Sequence, residues 1–60
     1  MKIIVTGSEG LLGKEITTYL KNNHEVICID LLLGHDLTDE IFVKKWFLEN
    51  KADCLVNCFA

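Results

Sequence analysis

The sequence predicts an α/β fold built on a parallel sheet, with elements in the order β-α-β-(β)-α-β. Three observations carry this. An apolar run, Ile3-Ile4-Val5, leads into three evenly spaced glycines, Gly7, Gly10 and Gly13, and a helix-periodic pattern follows at once. Two more short runs, Val26-Ile27-Cys28-Ile29 and Cys54-Leu55-Val56, are apolar at consecutive positions. That pattern suits parallel strands covered on both faces, whereas a half-exposed strand alternates. Helical stretches separate the runs, and such alternation calls for a parallel sheet joined by right-handed crossovers.

Taken in order, Lys2 to Thr6 reads as the first strand and Gly7 to Gly10 as a tight turn. Leu11 to Lys21 reads as a helix, with Leu12, Ile16 and Leu20 on one apolar stripe and Lys14, Glu15 and Lys21 off it. Asn22-Asn23-His24 ends that helix, asparagine being tolerant of the left-handed conformation found at helix ends. Glu25 to Asp30 is the second strand. Leu31 to His35 reads either as a very short third strand or as a crossing loop punctuated by Gly34. Thr38-Asp39-Glu40 has the form of a helix start, a capping hydroxyl followed by acids in the first turn, and the helix runs to about Asn50. Its apolar pairs are Phe42 with Trp46 and Val43 with Phe47, with Lys44 and Lys45 on the outer face. Asp53 to Ala60 closes the chain as a further strand.

The three glycines have separate physical tasks in a nucleotide-binding turn. Gly7 permits the sharp turn off the strand, Gly10 lets backbone approach a diphosphate with no Cβ between, and Gly13 lets the helix pack close on the sheet. The diphosphate then faces the first helical N–H groups and the positive end of the helix dipole. Glu9, Leu11 and Leu12 join the glycines as cofactor-binding positions through their backbone. Two rival motifs fail on spacing. A P-loop needs a glycine where Ser8 stands and a Ser or Thr where Glu15 stands, and the GxGxxG form needs a glycine at Ser8. Strand, glycine turn and helix in this order describe the first unit of a dinucleotide-binding, or Rossmann, sheet.

Composition narrows the function. Sixty residues fit at most one small domain. The net charge is −3, with no arginine and no basic patch, which argues against nucleic-acid binding. No apolar stretch approaches the roughly 20 residues of a membrane span, and glycines interrupt the start before a targeting segment forms. Three cysteines, Cys28, Cys54 and Cys58, none in a CxxC pair, fit reduced thiols better than a disulfide framework or a zinc site. A soluble cytoplasmic protein is the expectation.

Thr-Gly-x-x-Gly-x-x-Gly over Thr6 to Gly13 resembles the cofactor turn of the extended and atypical short-chain dehydrogenase/reductases, the NAD-dependent epimerases, dehydratases and reductases of nucleotide sugars. Asp30 at the end of the second strand, the Asp36-Leu37-Thr38-Asp39 segment, and the strand from Asp53 to Ala60 match further landmarks of that family in order. The short interval from Asp30 to Asp36 is similar to the spacing in dTDP-4-dehydrorhamnose reductases. The resemblance implies the N-terminal part of a Rossmann domain, truncated after the family's fourth strand. It implies a parent enzyme transferring hydride to or from a nucleotide sugar, homo-oligomeric, with a nicotinamide dinucleotide as cofactor.

Asp30 lies 23 residues after Gly7, within the range expected for the acid that accepts hydrogen bonds from the adenosine ribose. A carboxylate there repels a 2′-phosphate, which favours NAD over NADP; the alternative is a solvated acid at a strand end. By resemblance, Asp36 bonds the adenine amino group and the Leu37 N–H a ring nitrogen, the alternative being that Asp36 caps the helix at Thr38. Also by resemblance, Asn57, Phe59 and Ala60 line the ribose and diphosphate, the alternative being plain core packing. His24 and His35 read as exposed loop histidines without partners, and Trp46 as cover for the sheet. The family's catalytic Tyr-x-x-x-Lys is absent: Tyr19 is the single tyrosine and is followed four residues on by Asn23. A non-catalytic dinucleotide-binding or sensor module is therefore the alternative to an enzyme.

Overall fold

A computed structural model describes residues 1–58. Its elements are β1 (Lys2–Thr6), α1 (Leu11–Leu20), β2 (Glu25–Ile29), a 3-10 turn (Leu31–Leu33), α2 (Glu40–Glu49) and β3 (Cys54–Asn57). The strands form one parallel sheet in the order β2-β1-β3. The central strand is the most apolar: Ile3, Ile4 and Val5 are buried, and with Ile29 they form the core among the described residues. Consecutive burial along β1 is the pattern its unbroken apolar run predicts.

The segment left open between strand and loop resolves as the 3-10 turn, so no strand stands between β2 and α2. Asp30 caps this turn, its carboxylate accepting from Leu32 N at 3.0 Å, and Gly34 ends it in the left-handed conformation at φ +87°. Aspartate at the cap and glycine at the exit close the turn locally, leaving no extended stretch to pair.

Two boundary expectations change. Leu12 does not face the sheet: it is 59% exposed, and the buried positions of α1 are Gly13 and Thr17. The reason is steric. A Cβ on Gly13 would collide with the Gly7 carbonyl and stand 2.9 Å from the Ser8 Cα, so only a bare α-carbon fits there. That contact sets the rotation of α1 and turns Leu12, about 100° away around the helix, outward. The cap of α2 is Asp39, whose Oδ1 accepts from Ile41 N and Phe42 N at 3.1 Å each, while Thr38 is bound back to Asp36. At the far end, the Asn50 side-chain amide donates to Trp46 O at 2.9 Å.

The register puts Thr6, Ile29 and Asn57 in one row at the carboxyl ends of the three strands. The chain leaves β1 toward β2 on one side and returns from β2 to β3 on the other. The break between these directions lies at β1, and crevices at such switch points are where open α/β sheets hold ligands.

Candidate functional site

The glycine turn leaves β1 directly above that row. Gly7 takes φ +68°, a conformation that strains any L residue, and donates its N–H to Ile29 O at 3.0 Å, tying the turn to the end of β2. Gly10 donates to Gly7 O at 3.2 Å and, as the N-cap of α1, brings no side-chain acceptor to the helix. The first-turn amides of Leu11 and Leu12 consequently take no partner among the described residues, and they carry the positive end of the helix dipole.

Gly10 and Gly13 are glycines for different reasons. Gly13 is required by the packing of the chain on itself. Gly10 has an ordinary φ of −74°, and a Cβ added to it would meet only Gly7 O, at 3.4 Å, an ordinary contact. The fold does not need a glycine at that exposed position. The bare face fits an approach from outside the chain, as a diphosphate at the helix mouth requires.

Asp30 stands beside the turn, 7% exposed. Its Oδ2 accepts from Glu9 N at 3.0 Å and its Oδ1 from Leu32 N at 3.0 Å. These two backbone donors, Leu32 first, hold the carboxyl below its ordinary value, against the opposing effect of burial; the nearby His35 lowers it further. The group is thus an ionised carboxylate at neutral pH with lone pairs to spare, since each oxygen accepts more than one bond. The Glu9 amide is committed to Asp30, which leaves Leu11 and Leu12 as the amides at the helix mouth.

On the other side of β1, the Thr6 hydroxyl donates to Asn57 Oδ1 at 2.8 Å, and Cys58 N donates to Thr6 O at 2.9 Å. Asn57 is thereby brought next to the turn. Phe59 and Ala60 lie outside the described residues. Asp36 sits further along, exposed, with Oδ1 accepting from the Thr38 hydroxyl at 2.6 Å and Thr38 N at 2.9 Å; these bonds lower its pKa, the hydroxyl first. Leu37 beside it is half-buried. The structure therefore groups Gly7, Glu9, Gly10, Leu11, Leu12, Gly13 and Asp30 around one turn and adds Asn57 from β3, with Asp36 and Leu37 on the approach to α2.

Two histidines differ from expectation. His35 is half-buried: its Nδ1 accepts from Asp30 N at 3.2 Å, and its ring stacks on Phe42 with centroids 5.8 Å apart and tilts against Trp46 at 5.9 Å. His24 is half-buried as well, its Nδ1 enclosed without a partner. Trp46 does not simply cover the sheet, since it also packs edge-on to Phe47 at 4.9 Å and faces His35. Ser8, inside the turn, is 1% exposed with an unpartnered hydroxyl, a feature the spacing of the glycines gives no hint of.

A hollow of about 830 Å³ lies at the opposite, amino-terminal edge of the sheet, lined in part by Lys2, Lys21, His24 and Asp53. Two of its polar contacts are internal: Lys2 N donates to Asp53 Oδ2 at 2.8 Å, and Lys2 Nζ pairs with Glu25 at 3.5 Å. Among the described residues no cluster of His, Cys, Asp or Glu is arranged to hold a metal ion, and no helix is long and apolar enough to cross a membrane.

Comparison with known proteins agrees with this geometry. The family model described as NAD dependent epimerase/dehydratase family matches residues 3–60. The crystal structure of a dTDP-4-dehydrorhamnose reductase, an RfbD ortholog from Clostridium acetobutylicum, superposes with a TM-score of 0.81 at 44% sequence identity. The match covers 97% of this chain and 21% of that reductase, so the chain spans about a fifth of its length. No curated protein sequence matches.

Proposed function

The chain belongs to the NAD-dependent epimerase/dehydratase family, and on that premise we propose that it is the dinucleotide-binding part of a reductase acting on a nucleotide-linked sugar by hydride transfer. The observation that carries the reading is the mouth of α1. There an exposed glycine that the fold does not require stands before two unpartnered amides, beside a buried carboxylate. Bare backbone, helix dipole and acid are the three parts that a diphosphate joined to a ribose needs.

In this reading the Leu11 and Leu12 amides hold the diphosphate, Gly10 keeps a side chain out of its way, and Gly7 and Gly13 shape the turn beneath it. Asp30 accepts from the adenosine ribose hydroxyls. Asp36 and Leu37 receive the adenine, and Asn57, together with Phe59 and Ala60 outside the described residues, is assigned to the ribose and diphosphate. The nicotinamide, when bound, supplies the hydride chemistry. What these residues contribute is position and selection. The fixed charge of Asp30 opposes a 2′-phosphate, and the chain holds no arginine to attract one, so NAD is the expected partner. The likeness to the Clostridium reductase supports a nucleotide-linked sugar as the substrate class.

Calorimetric titration of the intact protein tests the reading. One NAD per chain is expected, bound at least about tenfold more tightly than NADP, the equivalent of one lost charge-assisted contact. Equal dissociation constants would refute the NAD preference, and absence of saturable binding by either dinucleotide would refute the assignment itself.

A further inference from the structure

We propose that His35 is the positioning residue of the adenosine-ribose subsite, acting through Asp30 as a neutral hydrogen-bond acceptor. The inference rests on the reading of Asp30 as the ribose acid. A buried carboxylate points where its backbone aims it, and His35 grips that backbone twice. Its Nδ1 accepts from Asp30 N at 3.2 Å, and its own N–H donates to Asp30 O at 3.2 Å. Residues 30–35 are thus a closed loop whose two ends are bonded to each other, with the 3-10 turn between.

The imidazole is held in turn from α2. Phe42 stacks on it at 20° between ring planes, and Trp46 leans on it at 58°. Phe42 and Trp46 are one helical turn apart, so both rings come from one stripe of α2. A continuous line of contacts therefore runs from the aromatic stripe of α2 through the His35 ring to the Asp30 backbone. From there it passes through the Asp30 carboxylate to Glu9 N and the glycine turn.

The acceptor role fixes the chemistry of the ring. Nδ1 accepts only in the neutral imidazole carrying its proton on Nε2. Protonation would set an Nδ1–H against the Asp30 N–H and break the grip. The charged groups around the ring are few. The Asp30 backbone N–H faces Nδ1, the Asp36 carboxylate next in the chain is bonded to Thr38, and α2 presents the uncharged faces of Phe42 and Trp46, with Lys45 and Glu49 in the groove beside them.

Two substitutions separate the grip from the packing. His35→Phe keeps the stack and removes the acceptor. His35→Asn keeps an acceptor oxygen near the position of Nδ1 and cannot titrate. NAD is titrated into the intact protein and both variants at pH 8. At pH 8, His35→Phe is expected to weaken binding about tenfold, the effect of stranding one buried N–H, while His35→Asn stays within about threefold. Wild-type affinity in His35→Phe would overturn the proposal, whereas failure of the wild type to bind NAD would overturn the ribose reading beneath it. Imidazole nitrogen NMR of the ligand-free wild type is independent of how the variants fold. A neutral ring protonated on Nε2 supports the grip, and one protonated on Nδ1 refutes it.

Discussion

Gly10 and Gly13 stand three residues apart on the same turn, yet substituting them is expected to do different things. Gly13→Ala drives a methyl group into the Gly7 carbonyl, which is backbone and has nowhere to go. The cost is expected to be about 3 kcal/mol or more, read as loss of the cooperative thermal transition. Gly10→Ala meets only an ordinary contact, and its cost to folding is expected to be about 1 kcal/mol or less, that of a poorer N-cap. It is nonetheless expected to reduce NAD affinity at least about tenfold, because the methyl group stands where the diphosphate approaches. Asp30 gives a pH dependence of definite sign. Its carboxyl is held below the ordinary value in the folded chain, so its stabilising contribution is complete above about pH 4 and is lost as pH falls further, through the lowered value. Acid titration of the folded signal should show this slope in the wild type and a shallower one in Asp30→Asn; equal slopes would show that the Glu9 and Leu32 amides do not depend on the charge.

At the scale of elements, α2 is held by its ends more than by its face. No α2 residue is fully buried, whereas Asp39 bonds two amides at one end and Asn50 caps the other. Asp39→Ala is expected to cost about 1 kcal/mol and to speed amide exchange in the first turn of α2, leaving β1 protected. The strands and the glycine turn were legible in the sequence because their signals are local: consecutive apolar residues for burial on two faces, and absent side chains for bared backbone. The rotation of α1 was not legible. Leu12 belongs to a good apolar stripe, and it is the contact of Gly13 with the Gly7 carbonyl that turns it out. The start of α2 was misplaced by one residue because Thr38 and Asp39 are both good caps, and Asp36 claims the threonine. His35 was read as an exposed loop histidine because its partners are a backbone N–H five residues back and two rings on a later helix, a pattern no spacing rule describes. Asp30 was singled out by its distance from Gly7, but its bracing of the glycine turn through Glu9 belongs to tertiary structure.

For the molecule as a whole, three parallel strands end at one edge, and every described residue argued to meet a dinucleotide lies on that edge or in the segment that follows β1 or β2. The core beneath it is small: four apolar side chains buried among the described residues, in a chain whose size leaves little margin of stability. Leu55 on β3 stays 48% exposed, and Leu31 and Leu32 beside the Asp30 turn are more exposed still. Precision is therefore concentrated at the carboxyl edge, where Gly7, Asp30 and Asn57 are each bonded to a neighbouring strand or turn. The claim on which the rest depends is that a diphosphate sits at the mouth of α1 with its ribose on Asp30. Amide NMR of the intact protein during titration with NAD tests it most directly. The largest shifts are expected at the Gly10, Leu11, Leu12 and Asp30 N–H groups, whereas saturable binding that leaves these four amides unmoved while shifting residues elsewhere would contradict it.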